Sequence, residues 1–504
     1  MSCAVLIFLC SHYSYKLSNT SSQRFVIDFH VPTNIARMFI IIFTIYENYS
    51  QCCLTFKQKL MLIRSIQGSN TKCICTARDA HMGASICCCC RSTAENEEEI
   101  ANVIWSRKPP PQEQCRGCLL VFINPHSGKG KSLETFAYTV GPKLDANSIK
   151  YEVVVTTGRN HARNVLMTKT DLQKFNGVLI LSGDGLVFEV LNGILSREDA
   201  FWIFPTLPIG IVPSGSGNGL LCSVLYKHGT KLTEKSVMDR GLEIATSSSA
   251  KAESVALYSV KTENNTYASF LSIGWGLMAD IDIESEKWRK SLGPHRFTLG
   301  GFVRSFNLRT YKGRLTYRLY KPHGHNPSSD VFNIYDKTTQ ERIDELRLNN
   351  TDTSVSGEEL DSKFKSFTLH DPKEASTETS ASDEEEDEVV IEDDFINVYA
   401  VTLSHIASDG PFAPSAKLED NRIHLSYILW KDIGTRLDVA KYLLAIEHET
   451  HLNLPFVKRV EVSSIKLEVL SEGSYVVLDG EVIDTKSVEI SSTRNNICVF
   501  SPTA

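Results

Sequence analysis

The chain has 504 residues, of which 42% are apolar and 22% charged, enough for two or three ordinary domains with a sizeable core. Its net charge of −7 is concentrated: residues 383–394 carry nine negatives and no positives, and without them the rest stands at +2. A near-neutral folded part gives no reason to expect nucleic-acid binding. Ten of the 14 cysteines lie at or before Cys90, and only Cys222 and Cys498 follow Cys118, so the larger part has no disulfide framework and reads as cytosolic.

Residues 1–114 read as an extension without a confident domain, expected to be disordered. The apolar run at 38–45 is far shorter than the roughly 20 residues of a membrane-spanning helix. The four cysteines at 87–90 fit palmitoylation, metal binding or a plain disordered tail. Acidic residues 97–99 and prolines 109–111 look like a linker.

From residue 115 to 252 the pattern is α/β. Short apolar runs at 119–123, 151–156, 178–181 and 209–212 alternate with helix-like segments near 131–143, 160–168 and 186–195. That alternation predicts a Rossmann-like parallel sheet covered on both faces. From 253 to 500 the texture becomes period-two alternation, at 254–261, 314–320, 397–403, 422–430, 465–470 and 475–478. This predicts an antiparallel β-sandwich domain. Within it, residues 323–394 are polar and acidic, and are expected to be a disordered insert.

Each strand of the first domain ends in a small-residue turn. The turns contain Asn124, Pro125 and His126; then Thr156, Thr157, Gly158, Arg159 and Asn160; then Ser182, Gly183, Asp184 and Gly185; then Gly215, Ser216 and Gly217. Ligands of open parallel sheets bind outside these carboxyl ends, where glycine lets backbone N–H groups close on phosphate oxygens. Pro125 stands where a Walker A loop requires glycine, and the richest glycine turn follows the fourth strand, so neither a P-loop nor a dinucleotide fingerprint is present. Asp184 between two glycines fits a helix cap or turn. Flanked by three other phosphate-type turns, it reads better as a catalytic carboxylate, free and facing the phosphate site. It could accept a hydroxyl proton or serve a metal, the two needs of phosphoryl transfer to an alcohol.

The run 182–185 with Glu189 to Gly193, followed by 213–218, resembles the diacylglycerol-kinase-type catalytic domain. Residues 275–287, 296–300 and 478–481 narrow the resemblance to the sphingosine kinases. It extends from about residue 119 to 499. The resemblance implies an ATP- and Mg2+-dependent kinase acting on sphingosine or a related long-chain base. Asp184 would be the general base, with Ser182, Gly183 and Gly185 beside the substrate and Asp282 facing its amine. ATP would meet Asn124, Pro125, His126, Thr156 to Asn160, Glu189, Gly215 to Gly217, Arg289, Arg296, Asp479, Gly480 and Glu481. Leu299, Phe302 and Val303 would dock on a membrane surface, recruiting a cytoplasmic enzyme. The mix of basic and apolar residues at 296–314 also fits a calmodulin-like partner, or a core helix with solvated basic ends. A diacylglycerol or ceramide kinase of the same fold is the second reading, but neither lipid has a free amine for Asp282. A catalytically silent lipid-binding scaffold is the third. Phe188 departs from the family's usual histidine, His126 and Gly158 stand where some members have arginine, and Ser291 looks inserted.

Overall fold

The computed structural model describes residues 15–20, 24–29, 99–100, 102–107, 115–128, 130–215, 217–288, 296–321, 331–351, 388–446 and 448–503. Residues 87–90, Ser216, Arg289 and Ser291, named above, lie outside them. The chain divides into two compact units, residues 1–90 and 91–504. In the first, strands β1 (Tyr15–Thr20) and β2 (Arg24–Phe29) form an antiparallel hairpin.

The second unit begins earlier than the sequence suggested. Residues 102–105 are helical; Ile104 is buried, and Ile100 and Val103 pack on the core. Arg107 pairs with Asp145 at 2.9 Å. The apolar spacing of 100, 103 and 104 is that of one helix face, and it ties this stretch to the folded body.

Strands β3 (Gly117–Ile123), β4 (Ile149–Val155), β5 (Gly177–Ser182) and β6 (Ile209–Pro213) are parallel in the order β4-β3-β5-β6. Leu119 to Ile123 and Val178 to Leu181 are fully buried, as strands covered on both faces must be. Helices α1 (His161–Thr168), α2 (Asp184–Leu195) and α3 (Gly219–Lys227) follow β4, β5 and β6, and α4 (Glu234–Thr246) follows α3.

The remaining strands are antiparallel to one another. They are β7 (Lys251–Thr262), β8 (Thr266–Ser269), β9 (Ser272–Gly276), β10 (Tyr311–Leu319), β11 (Phe332–Asn333), β12 (Glu388–Val401), β13 (His405–Ala407), β14 (Gly410–Pro411), β15 (Ile423–Leu429), β16 (Lys458–Val469), β17 (Val476–Leu478), β18 (Glu481–Ile483) and β19 (Ser487–Ser501). Helices α5 (Leu277–Ser285), α6 (Arg296–Phe306), α7 (Thr339–Thr351) and α8 (Arg436–Ile446) lie between them. β19 pairs with β7 along its length, and through Val499 opposite Ile209 it continues the sheet onto β6. The two halves therefore share one mixed sheet and one apolar core.

The polar stretch 323–394 is not uniformly without structure. β11 pairs with β7, α7 packs on the parallel half, and residues 388–394 form the outer half of β12 against β10. Arg342 explains why so polar a helix is held. It is buried and donates to the carbonyls of Asn176 (3.3 Å), Thr206 (2.9 Å) and Ile334 (2.6 Å), with Phe332 under its guanidinium at 4.6 Å. Thr339 adds a bond to the Phe175 carbonyl at 2.7 Å. Arg342→Ala would strip three carbonyls of a charged donor, and an expected loss of about 2–4 kcal/mol should appear in urea unfolding. A midpoint equal to that of the unaltered chain would show that α7 contributes nothing to the fold.

Candidate functional site

Three of the four glycine turns meet at the carboxyl ends of β3, β5 and β6. Ser214 and Gly215 both donate their N–H to the Ser182 carbonyl, at 2.9 and 3.2 Å. Ser182 Oγ donates to Ser127 Oγ at 3.2 Å. A Cβ on Gly183 would fall 2.3 Å from the Gly217 carbonyl oxygen, and one on Gly128, at φ +55°, 1.9 Å from the Ser214 carbonyl oxygen. Any side chain at either position would push the loops apart, which is why glycine stands there. Asn124 Oδ1 accepts the His126 N–H at 3.0 Å, fixing the first turn. Buried in this floor, Ser214 Oγ and Asn218 Oδ1 have no hydrogen-bond partner among the described residues. Unsatisfied buried polar atoms fit a polar ligand such as a nucleotide phosphate or sugar.

The fourth turn lies beside them. Thr156 is buried and bonds the Ile123 carbonyl, while Thr157, Gly158, Arg159 and Asn160 are exposed. Asn160, at φ +62°, starts α1, and Glu189 from α2 accepts the Ala162 N–H at 3.2 Å. Glu189 thus stabilises the positive end of α1.

Asp184 is the first residue of α2, but its carboxylate is not free as the sequence suggested. It is buried, and accepts the N–H groups of Gly219 (2.7 Å) and Leu220 (3.3 Å) at the N-terminus of α3. The other end of α3 is held by Lys227 and His228 on the buried Glu253, at 2.8 and 3.0 Å. Burial pushes the Asp184 carboxyl up to about 7, against the lowering effect of the two N–H groups, and the nearby Asp479 adds to the rise.

Asp479 needs correction as a nucleotide contact. Its side chain is buried and turned inward, accepting from Ser269 Oγ (2.9 Å) and the N–H groups of Phe270 (3.1 Å), Leu271 (3.0 Å) and Ser272 (2.8 Å). Its left-handed φ of +49° and that of Gly480, +87°, then turn the chain so that Glu481 faces the first half. Glu481 pairs there with Arg159 at 2.8 Å. Gly480 is exposed, and of the three residues only Gly480 and Glu481 look outward.

Arg296 is corrected likewise. It is buried and pairs with Asp282 (3.1 Å) and Glu286 (2.8 Å), and it bonds Ser285 Oγ at 3.0 Å. On the same helix Arg304 pairs with the buried Asp280 at 3.1 Å and with Glu284. The acids of α5 therefore draw both arginines of α6 inward, while Arg309, Lys312 and Arg314 beyond the helix stay exposed. Leu299 is also buried, Phe302 is half-buried, and Val303 is exposed at 43%, so only the last two can form a docking patch. Phe188 stacks on Tyr267 at 6.0 Å, a packing role that accounts for an aromatic at this position.

The sequence reading missed a second apolar cluster beside Asp282. It joins Leu277 and Ile281 of α5 to Phe412, Tyr442, Ile446 and Phe456, with Tyr399 and Phe297 at its margin. His451 is buried against Phe412, at 5.1 Å between rings; burial lowers its pKa to about 4, against the raising effect of a bond to the Phe412 backbone, so it is neutral. These residues are scattered over 180 positions and carry no motif. Among the described residues, no three His, Cys, Asp or Glu side chains converge to hold a metal ion, and no helix is long and apolar enough to cross a membrane.

Residues 118–248 match the model of the diacylglycerol kinase catalytic domain. Sphingosine kinase 1 of Caenorhabditis elegans is 72% identical over 93% of this chain and 100% of its own length. Sphingosine kinase 1 of Homo sapiens is 30% identical over 74% of this chain and 88% of its own length. A similarity that spans the relative from end to end, with a family match over the glycine turns and Asp184, makes this chain a lipid kinase of the sphingosine kinase family.

Proposed function

We propose that the protein transfers the γ-phosphoryl group of ATP to the primary hydroxyl of sphingosine or a close long-chain base, with Asp184 as general base. The observation that carries this reading is a buried carboxylate at the junction of three glycine turns, raised to about 7. A base titrating near the working pH is matched to accepting a hydroxyl proton. The two α3 N–H groups hold Asp184 in one orientation, and its neighbours in the turn, Ser182, Gly183 and Gly185, take the substrate side.

ATP lies along the turns at Asn124 to His126, 156–160 and 215–217, with Glu481 closing from the second half. Ser214 Oγ and Asn218 Oδ1 supply polar contacts that the described residues leave unmade. Magnesium suits this site as an ion carried on the phosphates, since it keeps water and phosphate oxygens as ligands and needs few carboxylates. When bound, it neutralises phosphate charge.

Asp282 takes the substrate amine, since an ammonium in apolar surroundings requires a carboxylate. Arg296, engaged with Asp282 Oδ1, orients this carboxylate rather than binding phosphate. The alkyl tail enters the cluster around Phe412 and His451. The half-buried Phe302 and exposed Val303 bring this peripheral, cytoplasmic enzyme to a membrane that holds its substrate.

Asp184→Asn keeps the size of the side chain but removes the base. Transfer of label from ATP to sphingosine should drop about 10²- to 10⁴-fold. Retention of a tenth of the activity would exclude Asp184 as the base. Because the carboxyl must be ionised, kcat/KM of the unaltered enzyme should fall about tenfold per pH unit below about 7 and level off above it. A profile flat from pH 5 to 8 would contradict this.

Asp282→Asn should raise KM for sphingosine about 10- to 100-fold, from the loss of a charged hydrogen bond. Parallel assays with diacylglycerol and ceramide separate the alternatives. Labelling of diacylglycerol but not sphingosine would overturn the long-chain-base reading.

A further inference from the structure

Tyr399 lies on β12, paired with Gly274 of β9 and Ser426 of β15. Its ring covers Gly274, where a Cβ would come within 2.7 Å of Cε2, and packs against Phe412 at 4.7 Å between centroids. The ring thus stands at the margin of the apolar cluster that receives the tail. The residue as a whole is half-buried, while its phenol lies inside, where the head site adjoins the apolar cluster.

Among the described residues, the hydroxyl bonds Ser272 Oγ at 3.5 Å, the outer limit of a hydrogen bond. Burial pushes the phenol above its ordinary range; the Ser272 contact opposes this, and the charges of Asp282, Asp479 and Asp184 add to it. It therefore stays protonated, a donor near three carboxylates. Asp479 is already saturated by its four donors, and Asp184 is held by α3. Tyr399 is left as a weakly used polar group where residues near Asp282 adjoin the apolar cluster.

A sphingoid base carries three polar groups on adjacent carbons: a primary hydroxyl, an amine and a secondary hydroxyl. With the first at Asp184 and the second at Asp282, the third lies next along the chain toward the tail. We propose that Tyr399 is a specificity-determining residue whose hydroxyl hydrogen-bonds this secondary hydroxyl. The inference rests on the roles given above to Asp184 and Asp282. A site that holds a substrate hydroxyl discriminates against an analogue lacking it, because a buried polar group is then left unpaired.

The test compares sphingosine with its 3-deoxy analogue on the full chain and on Tyr399→Phe, which keeps the ring over Gly274. The unaltered enzyme should prefer sphingosine in kcat/KM by about tenfold, the worth of about one hydrogen bond. Tyr399→Phe should raise KM for sphingosine by about the same factor, leave kcat nearly unchanged, and leave KM for the 3-deoxy base where it was. Unchanged preference, or equal losses on both bases, would overturn the assignment while leaving the long-chain-base reading intact. Phosphorylation of neither base by the unaltered enzyme would instead overturn that reading, and this inference with it. An unchanged KM for ATP and melting temperature separate a lost contact from a damaged fold.

Discussion

The site depends on one arrangement: a buried aspartate whose charge is held by the N-terminus of a helix. Taking a carboxylate out of water is expensive, and Asp184 is compensated by only two N–H groups, from Gly219 and Leu220. The compensation is partial, so the carboxyl stays near 7 instead of falling into the usual carboxylate range. More donors would make Asp184 a structural clamp, and fewer would leave it protonated. Asp479, a short distance away, has four donors around its carboxylate, and burial still raises it, to about 6. Two buried aspartates, each beside glycine, thus differ in what holds them: the N-terminus of a helix for Asp184, a serine hydroxyl and three N–H groups of the 269–272 segment for Asp479.

That distinction marks the limit of the sequence. The parallel strands were legible because runs such as 119–123 and 178–181 are apolar without a break, and the turns because each strand gives way to small or polar residues that include glycine. Asp184 stood out because three similar turns surround it. The inward turn of Asp479 was not legible, since its donors lie some 210 positions away in the chain. The pairing of Arg296 with Asp282 was hidden for a related reason: both residues carry a charge suited to a ligand, and only the packing of α6 on α5 makes them satisfy each other. Residues 331–351 looked unstructured because their order comes from Arg342 reaching three backbone carbonyls, which no apolar pattern announces. Tyr399 looked like any aromatic in a strand.

The two halves of the site must be held together while ligands enter between them, and the contacts divide this work unevenly. Across the mouth, Arg159 and Glu481 form an ion pair whose side chains are 64% and 31% exposed. Such a pair contributes about 0–1 kcal/mol and is screened by salt. At the back, β19 runs beside β7 for nearly its whole length and joins β6, so the halves share backbone hydrogen bonds and a continuous core. Stiffness therefore lies behind the site and weakness in front of it. An anionic nucleotide can take Arg159 from Glu481 at small cost without disturbing the sheet. Asp479 contributes to both properties: buried by four donors, it fixes the turn rigidly, and by that rigidity it presents Glu481 to a partner held only loosely.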